Sequence, residues 1–175
     1  MNTTVQSFRL APMSPLLWML TLALLAVPAV FFSTAMVGRH LLTVPALCVV
    51  VMYVWVWLRF RPTRFVVYPD RLEVRWPLKR RSIPRKDIAE VRLIDKRALH
   101  SAIGWGMRVG VGGLWGGFGW LWTQRRGIVQ MYISRTDGFV WIERVGDRPW
   151  LITPVQPAAF VRALSSASKN EGLAR

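Results

Sequence analysis

The stretch Ala11 to Val37, APMSPLLWMLTLALLAVPAVFFSTAMV, carries no charged residue. After Arg39 and His40 a second uncharged run, LLTVPALCVVVMYVWVWL, extends from Leu41 to Leu58. A helix rises about 1.5 Å per residue and needs about 20 apolar residues to cross the hydrocarbon core of a bilayer. The first run exceeds that length and the second just reaches it. The expectation is a transmembrane hairpin over residues 1–60, with helices at about 15–37 and 41–58. The remainder, roughly 115 residues, suffices for one compact domain and not for two.

Charge divides at the same place. Of the 24 Lys and Arg residues, 22 lie at or after Arg59, against all 9 Asp and Glu, a net charge of +13 on that part of the chain. A domain tethered within a few residues of a bilayer meets anionic headgroups first, and each close Lys or Arg is worth about 1 kcal/mol there. Anionic lipid is therefore favoured over nucleic acid as the partner of this charge. The single cysteine, Cys48, lies inside the second run, so no disulfide can form within the chain. His40 and His100 stand apart from any cysteine, and no metal cluster or cofactor is expected.

Basic residues flank the outer ends of the hairpin more heavily than its connection. Arg9 precedes the first run, Arg39 alone lies between the runs, and Arg59, Arg61 and Arg64 follow the second. The positive-inside rule then places both termini and the soluble domain in the cytoplasm, with a tight turn at 38–42 outside. Ser33 and Ala35 have the spacing of a signal-peptide cleavage site, but the apolar run is longer than the roughly 7–15 residues of a signal core. Trp18, Trp55 and Trp57 fall near the span ends assigned to the cytoplasm, where indoles prefer the headgroup boundary. Neither run contains an ionisable residue, which argues against a transport pathway.

Beyond Pro62 the apolar residues alternate in short segments, the pattern of an antiparallel sheet. It predicts strands at 65–68, 71–76, 80–83, 88–94, 128–133, 139–143 and 148–152. Pro69-Asp70, Thr136-Asp137-Gly138 and Gly146-Asp147 provide turns, and Leu72, Val74 and Trp76 share one face. Pro157 opens a helix whose Phe160, Val161 and Leu164 make an apolar stripe. Residues 169–175 read as a polar tail. The fold class is α+β, mainly β: the hairpin, then a seven-stranded barrel or sandwich over 61–168, capped by a C-terminal helix.

The strand pairs 65–75 and 80–94, the stretch Val140-Trp141-Ile142-Glu143, and the ending Leu151-Ile152-Thr153-Pro154-Val155-Gln156-Pro157-Ala158-Ala159-Phe160-Val161-Arg162-Ala163-Leu164 resemble the bacterial pleckstrin-homology-like domains. That family commonly ends in a Ser-Pro-x-Asp-Pro-Glu-x-Phe segment and a closing helix. Here Thr153 stands for the serine, Gln156 for the aspartate and Ala158 for the glutamate, which weakens the cap of the closing helix. The resemblance implies a small barrel behind a membrane hairpin in a bacterial inner membrane, with no established activity.

Gly104 to Trp122 holds eight glycines, four tryptophans (Trp105, Trp115, Trp120, Trp122) and one charge, Arg108. It lacks the lysine and hydroxyl of a phosphate-binding P-loop and the context of a dinucleotide fingerprint. Two readings stay open. Either the glycines bend strands and the indoles complete the core, or the segment is an apolar flap on the bilayer.

Lys79, Arg80, Arg81, Arg85 and Lys86 form a basic run that either contacts headgroups or is simply solvated. Asp87, Glu90 and Asp95 scatter between strand faces, and no nucleophile stands beside a histidine, so an enzyme is not expected. The expected function is a non-enzymatic, membrane-anchored binding or scaffolding module at the cytoplasmic face. An accessory subunit that recruits or stabilises a membrane enzyme or transporter is the alternative. The expected contacts are the basic run with Trp115, Trp120 and Trp122; the partners are anionic lipid and a protein, and homo-oligomerisation is compatible with both.

Overall fold

The computed structural model describes residues 5–37 and 40–172. The chain begins with a short strand, β1 (Gln6–Arg9), before the first long helix, α1 (Pro15–Met36). Ser14 and Pro15 open α1; proline suits the first helical position because its missing N–H would have no partner there. Pro28 lies within α1 without ending it. A 3₁₀ turn (His40–Leu42) leads into α2 (Thr43–Phe60). Gly38 and Arg39 of the expected connection lie outside the described residues. Both helices are long and apolar enough to cross a membrane, and most of their surface is exposed. Ala35 and Ala46 are small and buried, and the Tyr53 hydroxyl of α2 donates to the Leu24 carbonyl of α1 at 2.9 Å.

The rest of the chain supplies β2 (Arg64–Val67), β3 (Arg71–Arg75), β4 (Arg80–Pro84), β5 (Ile88–Ile94), α3 (Lys96–Ile103), β6 (Gly106–Gly112), β7 (Gly117–Thr123), β8 (Gly127–Ile133), β9 (Phe139–Arg144), β10 (Trp150–Ile152) and α4 (Pro157–Gly172). A four-stranded sheet runs β1-β2-β3-β4, and a six-stranded one β5-β9-β10-β8-β7-β6. Neighbours are antiparallel except β10 with β8. The alternation predicts seven strands closing as a barrel; the structure instead has ten among the described residues, in two sheets that do not close on each other. The three additional strands escape the alternation rule for a physical reason. β1 is four residues of mixed polarity, and β6 and β7 are interrupted by glycine. Gly110 and Gly119 pair directly across these two strands, and a Cβ on either would lie 2.6–2.7 Å from a backbone carbonyl oxygen of the other strand. α4 continues to Gly172, beyond the point where the polar tail is expected to start; residues 173–175 lie outside the described residues.

Two cores lie on opposite faces of the large sheet. On one, Phe118, Tyr132, Val140, Ile142, Trp150 and Ile152 meet Phe65, Leu72, Val74 and Ile83 of the small sheet and Phe160 and Leu164 of α4. On the other, Leu121, Val129, Met131, Ile133, Trp141 and Leu151 meet Leu99 and Ile103 of α3. β1 belongs to the first core. Phe8 packs edge-on against Phe160 with ring centroids 5.3 Å apart, and β1 pairs with β2. The segment after β1 is stitched to the large sheet: the Ala11 amide donates to the Thr153 carbonyl at 2.9 Å, and the buried Ser134 hydroxyl donates to the Ala11 carbonyl at 2.6 Å. Residues on both sides of the two long helices therefore build one domain.

Candidate functional site

β6 and β7 form a hairpin that carries the glycine and tryptophan segment. Strand alternation places Phe118, Trp120 and Trp122 on one side of β7 and Leu121 on the other. Phe118 is 1% exposed within the first core, whereas Trp120 and Trp122 are 42% and 55% exposed. The same sheet face thus passes from core to surface within four residues. Across the ladder Trp120 faces Val109, and Trp122 faces Met107 and Ile128. All are exposed, and Val109, Trp120, Trp122 and Ile128 line a shallow concavity edged by Arg148. Monomers rarely leave contiguous apolar patches bare, so such a face signals contact with another protein or a membrane.

The other end of the hairpin is anchored. Its tip closes with a Gly113 amide to Gly116 carbonyl bond of 2.9 Å, with Trp115 at a φ of 59°. The Thr21 hydroxyl of α1 lies 2.7 Å from both the Leu17 and Gly113 carbonyl oxygens, to which it can donate its one proton, and accepts from the Trp115 amide at 3.0 Å. Position 113 favours glycine because its φ is +93°, and a Cβ there would also press on the Leu20 side chain at 2.6 Å. The Trp115 indole packs against Tyr53 and Trp57 of α2, at centroid distances of 6.5 and 5.5 Å. Leu114 joins Tyr53 and Val56 in a small third core. Thr21 lies about 9 Å along α1 from Pro15, and Tyr53 about 10 Å before the end of α2, so the tip reaches well into the apolar length of both helices.

The three tryptophans proposed for contact are thus separated. Trp115 fills the junction between hairpin tip and helices, while Trp120 and Trp122 face outward. Trp115 is packed against α2, as the core reading expects of it, while Trp120 and Trp122 are exposed. Met107, Val109 and Ile128 belong with the outward face, whereas Thr21 belongs with the anchored tip. The alternation Phe118-x-Trp120-x-Trp122 was the signal for that face, and glycine obscured it.

The basic run divides between the two ends of β4, about 13 Å apart. At one end Lys79 is half-buried over the Trp76 ring at 4.5 Å, and Arg80 is exposed. Arg81 stacks over Trp150 at 5.1 Å and lies 3.8 Å from Asp147, which also pairs with Arg144. At the other end Arg85 is buried, its amide bonded to the Asp70 carbonyl, and Lys86 is exposed. Lys79, Arg80 and Arg81 lie beside the end of α2, where the Trp76 indole donates to the Phe60 carbonyl at 3.0 Å. Burial holds the Lys79 ammonium below its ordinary pKa, and the cations Arg59 and Arg81 push it the same way. This end of the domain is therefore a crowd of cations around an aromatic line, Trp76, Tyr132 and Trp150, whose rings stack edge-on at 5.3 and 5.5 Å.

The arrangement consists of an apolar ledge, an anchored tip and a cationic rim. Comparison with curated proteins and with solved structures finds no match. A family model described as a bacterial PH domain matches residues 63–168, more than half of the chain. Since that match covers β2 through the first turns of α4, the strands and closing helix described above, the chain belongs to the bacterial PH domain family.

Proposed function

We propose that this protein is a non-enzymatic binding module anchored in the bacterial inner membrane by α1 and α2, with its PH domain lying against the cytoplasmic face. The observation that carries this reading is the anchored hairpin. Its tip is hydrogen-bonded to Thr21 within the apolar length of α1, so a bilayer around α1 and α2 also surrounds the tip. From the tip the strands lead outward at about 3.3 Å per residue, which sets Trp120 and Trp122 about 10–17 Å from Gly117, at headgroup level. The cations at the α2 end of β4 add attraction for anionic lipid.

The hairpin topology has its own support. β1 precedes α1 and is built into the domain that follows α2, so both flanks of the helix pair lie on one side of any membrane it enters. The basic residues after α2 favour the cytoplasmic side. On this reading the exposed Lys86 end of β4, away from the bilayer, is free to meet a protein partner.

The test uses the full chain in nanodiscs, with Cys48 replaced by serine and a fluorophore on Ile128→Cys. Lipids carrying a quencher just below the headgroup should quench this label strongly. A label on Lys86→Cys should stay bright. Equal, weak quenching at both positions would sink the proposed placement.

A further inference from the structure

A second candidate site lies on the opposite face of the large sheet. Between α3 and β7–β8 is a cavity of about 430 Å³, within the range of roughly 300–1,000 Å³ typical of small-molecule sites. Its wall is apolar: Leu99, Ile103, Leu121, Met131, Ile133 and Phe139 all face it. Its rim is cationic. Lys96 and His100 lie one turn apart on α3, and Arg108, the one charge of the glycine and tryptophan segment, reaches it from β6. No described residue that lines it is acidic. Leu16, in the first turn of α1, also lines it, so the cavity borders the point where α1 enters its apolar course.

We infer that this cavity holds the acyl chain of an anionic amphiphile, with the negative head against Lys96, His100 and Arg108. An uncharged apolar ligand would fill the wall equally well but make no use of three basic groups without a carboxylate among them. A soluble anion would satisfy the rim and leave the wall bare. Only a molecule with both parts matches both, and a membrane supplies such molecules beside Leu16. The inference rests on the membrane placement of α1 for its supply of ligand, but not on the exposed tryptophan face.

The experiment titrates the full chain in mild detergent with oleate and, separately, with oleyl alcohol. Oleate should bind saturably and at least 10-fold more tightly than the alcohol. Reversing the rim charges, Lys96→Glu with Arg108→Glu, should weaken oleate at least 10-fold; both side chains are exposed, so folding is spared. Leu99→Trp, which fills the cavity, should abolish saturable binding with the circular dichroism unchanged. Phosphatidylglycerol that survives purification and appears in native mass spectra of the unmutated chain, but not of the charge-reversed one, would identify the source as a membrane phospholipid. Oleate binding without retained phospholipid identifies a free fatty acid and upholds the same site. Equal affinity for oleate and the alcohol, or full binding by the charge-reversed chain, overturns the inference. Trp120→Ser with Trp122→Ser should leave oleate binding intact, which separates failure here from failure of the bilayer contact.

Discussion

The amide of Trp115 donates to the hydroxyl of Thr21 across 3.0 Å, joining residues 94 positions apart and fixing a β-hairpin to a helix long and apolar enough to cross a membrane. Threonine at this point of α1 is a polar residue in an apolar run, 1% exposed, and its hydroxyl accepts the turn's amide. A buried amide left without a partner costs about 1–3 kcal/mol.

Thr21→Val should therefore loosen the tip. We expect amide exchange at Trp115 to speed up by at least 10-fold in detergent micelles, with the core strands β9 and β10 unaffected. Thr21→Ser, which keeps the hydroxyl, should exchange as the parent does. Identical protection of Trp115 in all three would show that the latch is held by packing alone.

The two indoles Trp120 and Trp122 should be nearly silent in stability and loud in binding. Exposed substitutions usually change stability by less than about 0.5 kcal/mol, whereas truncating a buried aromatic costs about 3–5 kcal/mol. Trp120→Ser and Trp122→Ser should each leave thermal unfolding in detergent unchanged, while Phe118→Ala on the same face should lower it steeply. Quenching of the Ile128 label by lipid should fall only in the serine variants. A large stability loss with unchanged quenching would instead place these indoles in the core.

Strand β1 makes the domain depend on residues before the helices. Phe8→Ala removes the edge-on contact with Phe160 and should destabilise by about 3 kcal/mol or more. A fragment starting at Thr63 lacks the strand and should unfold at a lower temperature than the full chain. If the fragment were as stable as the parent, β1 would be dispensable.

The same strand predicts topology. Reporters fused before Met1 and after Arg175 should both be active in the cytoplasm, and a reporter in the connection at 38–42 should be active outside. Opposite sides for the two end fusions would rule out the helix pair as a hairpin.

Tyr132 gives a pH signature. Burial raises its phenol above the ordinary value, and hydrogen bonding and charge from Arg81 only partly offset this. A raised pKa in the folded state means that the neutral phenol is favoured by folding. The stabilisation is complete below the ordinary tyrosine pKa of about 10 and is lost as pH rises through the folded value. Urea midpoints should fall more steeply above pH 10 in the parent than in Tyr132→Phe. Parallel curves would show that the phenol is not what alkali attacks.

Much of this protein follows from its sequence alone. Continuous apolarity over 11–37 and 41–58 dictates two long helices, since no other local structure satisfies every backbone group in an apolar run. Period-two alternation at 65–76, 80–94 and 128–152 dictates seven of the ten strands among the described residues, and Pro157 with Phe160 and Leu164 dictates the closing helix. The remaining decisions are tertiary. Trp115 is covered by Tyr53 and Trp57 of α2 while Trp120 is left exposed, a difference set by residues more than 50 positions away. β1 has too few apolar residues to announce itself and becomes a strand because Phe8 finds Phe65 and Phe160. Thr21 reads as one more helix residue until the hairpin tip arrives. The basic run is compact in sequence but divided in space, because a strand carries its two ends apart. Local pattern decides which elements form; contacts distant along the chain decide which faces are left to meet a partner.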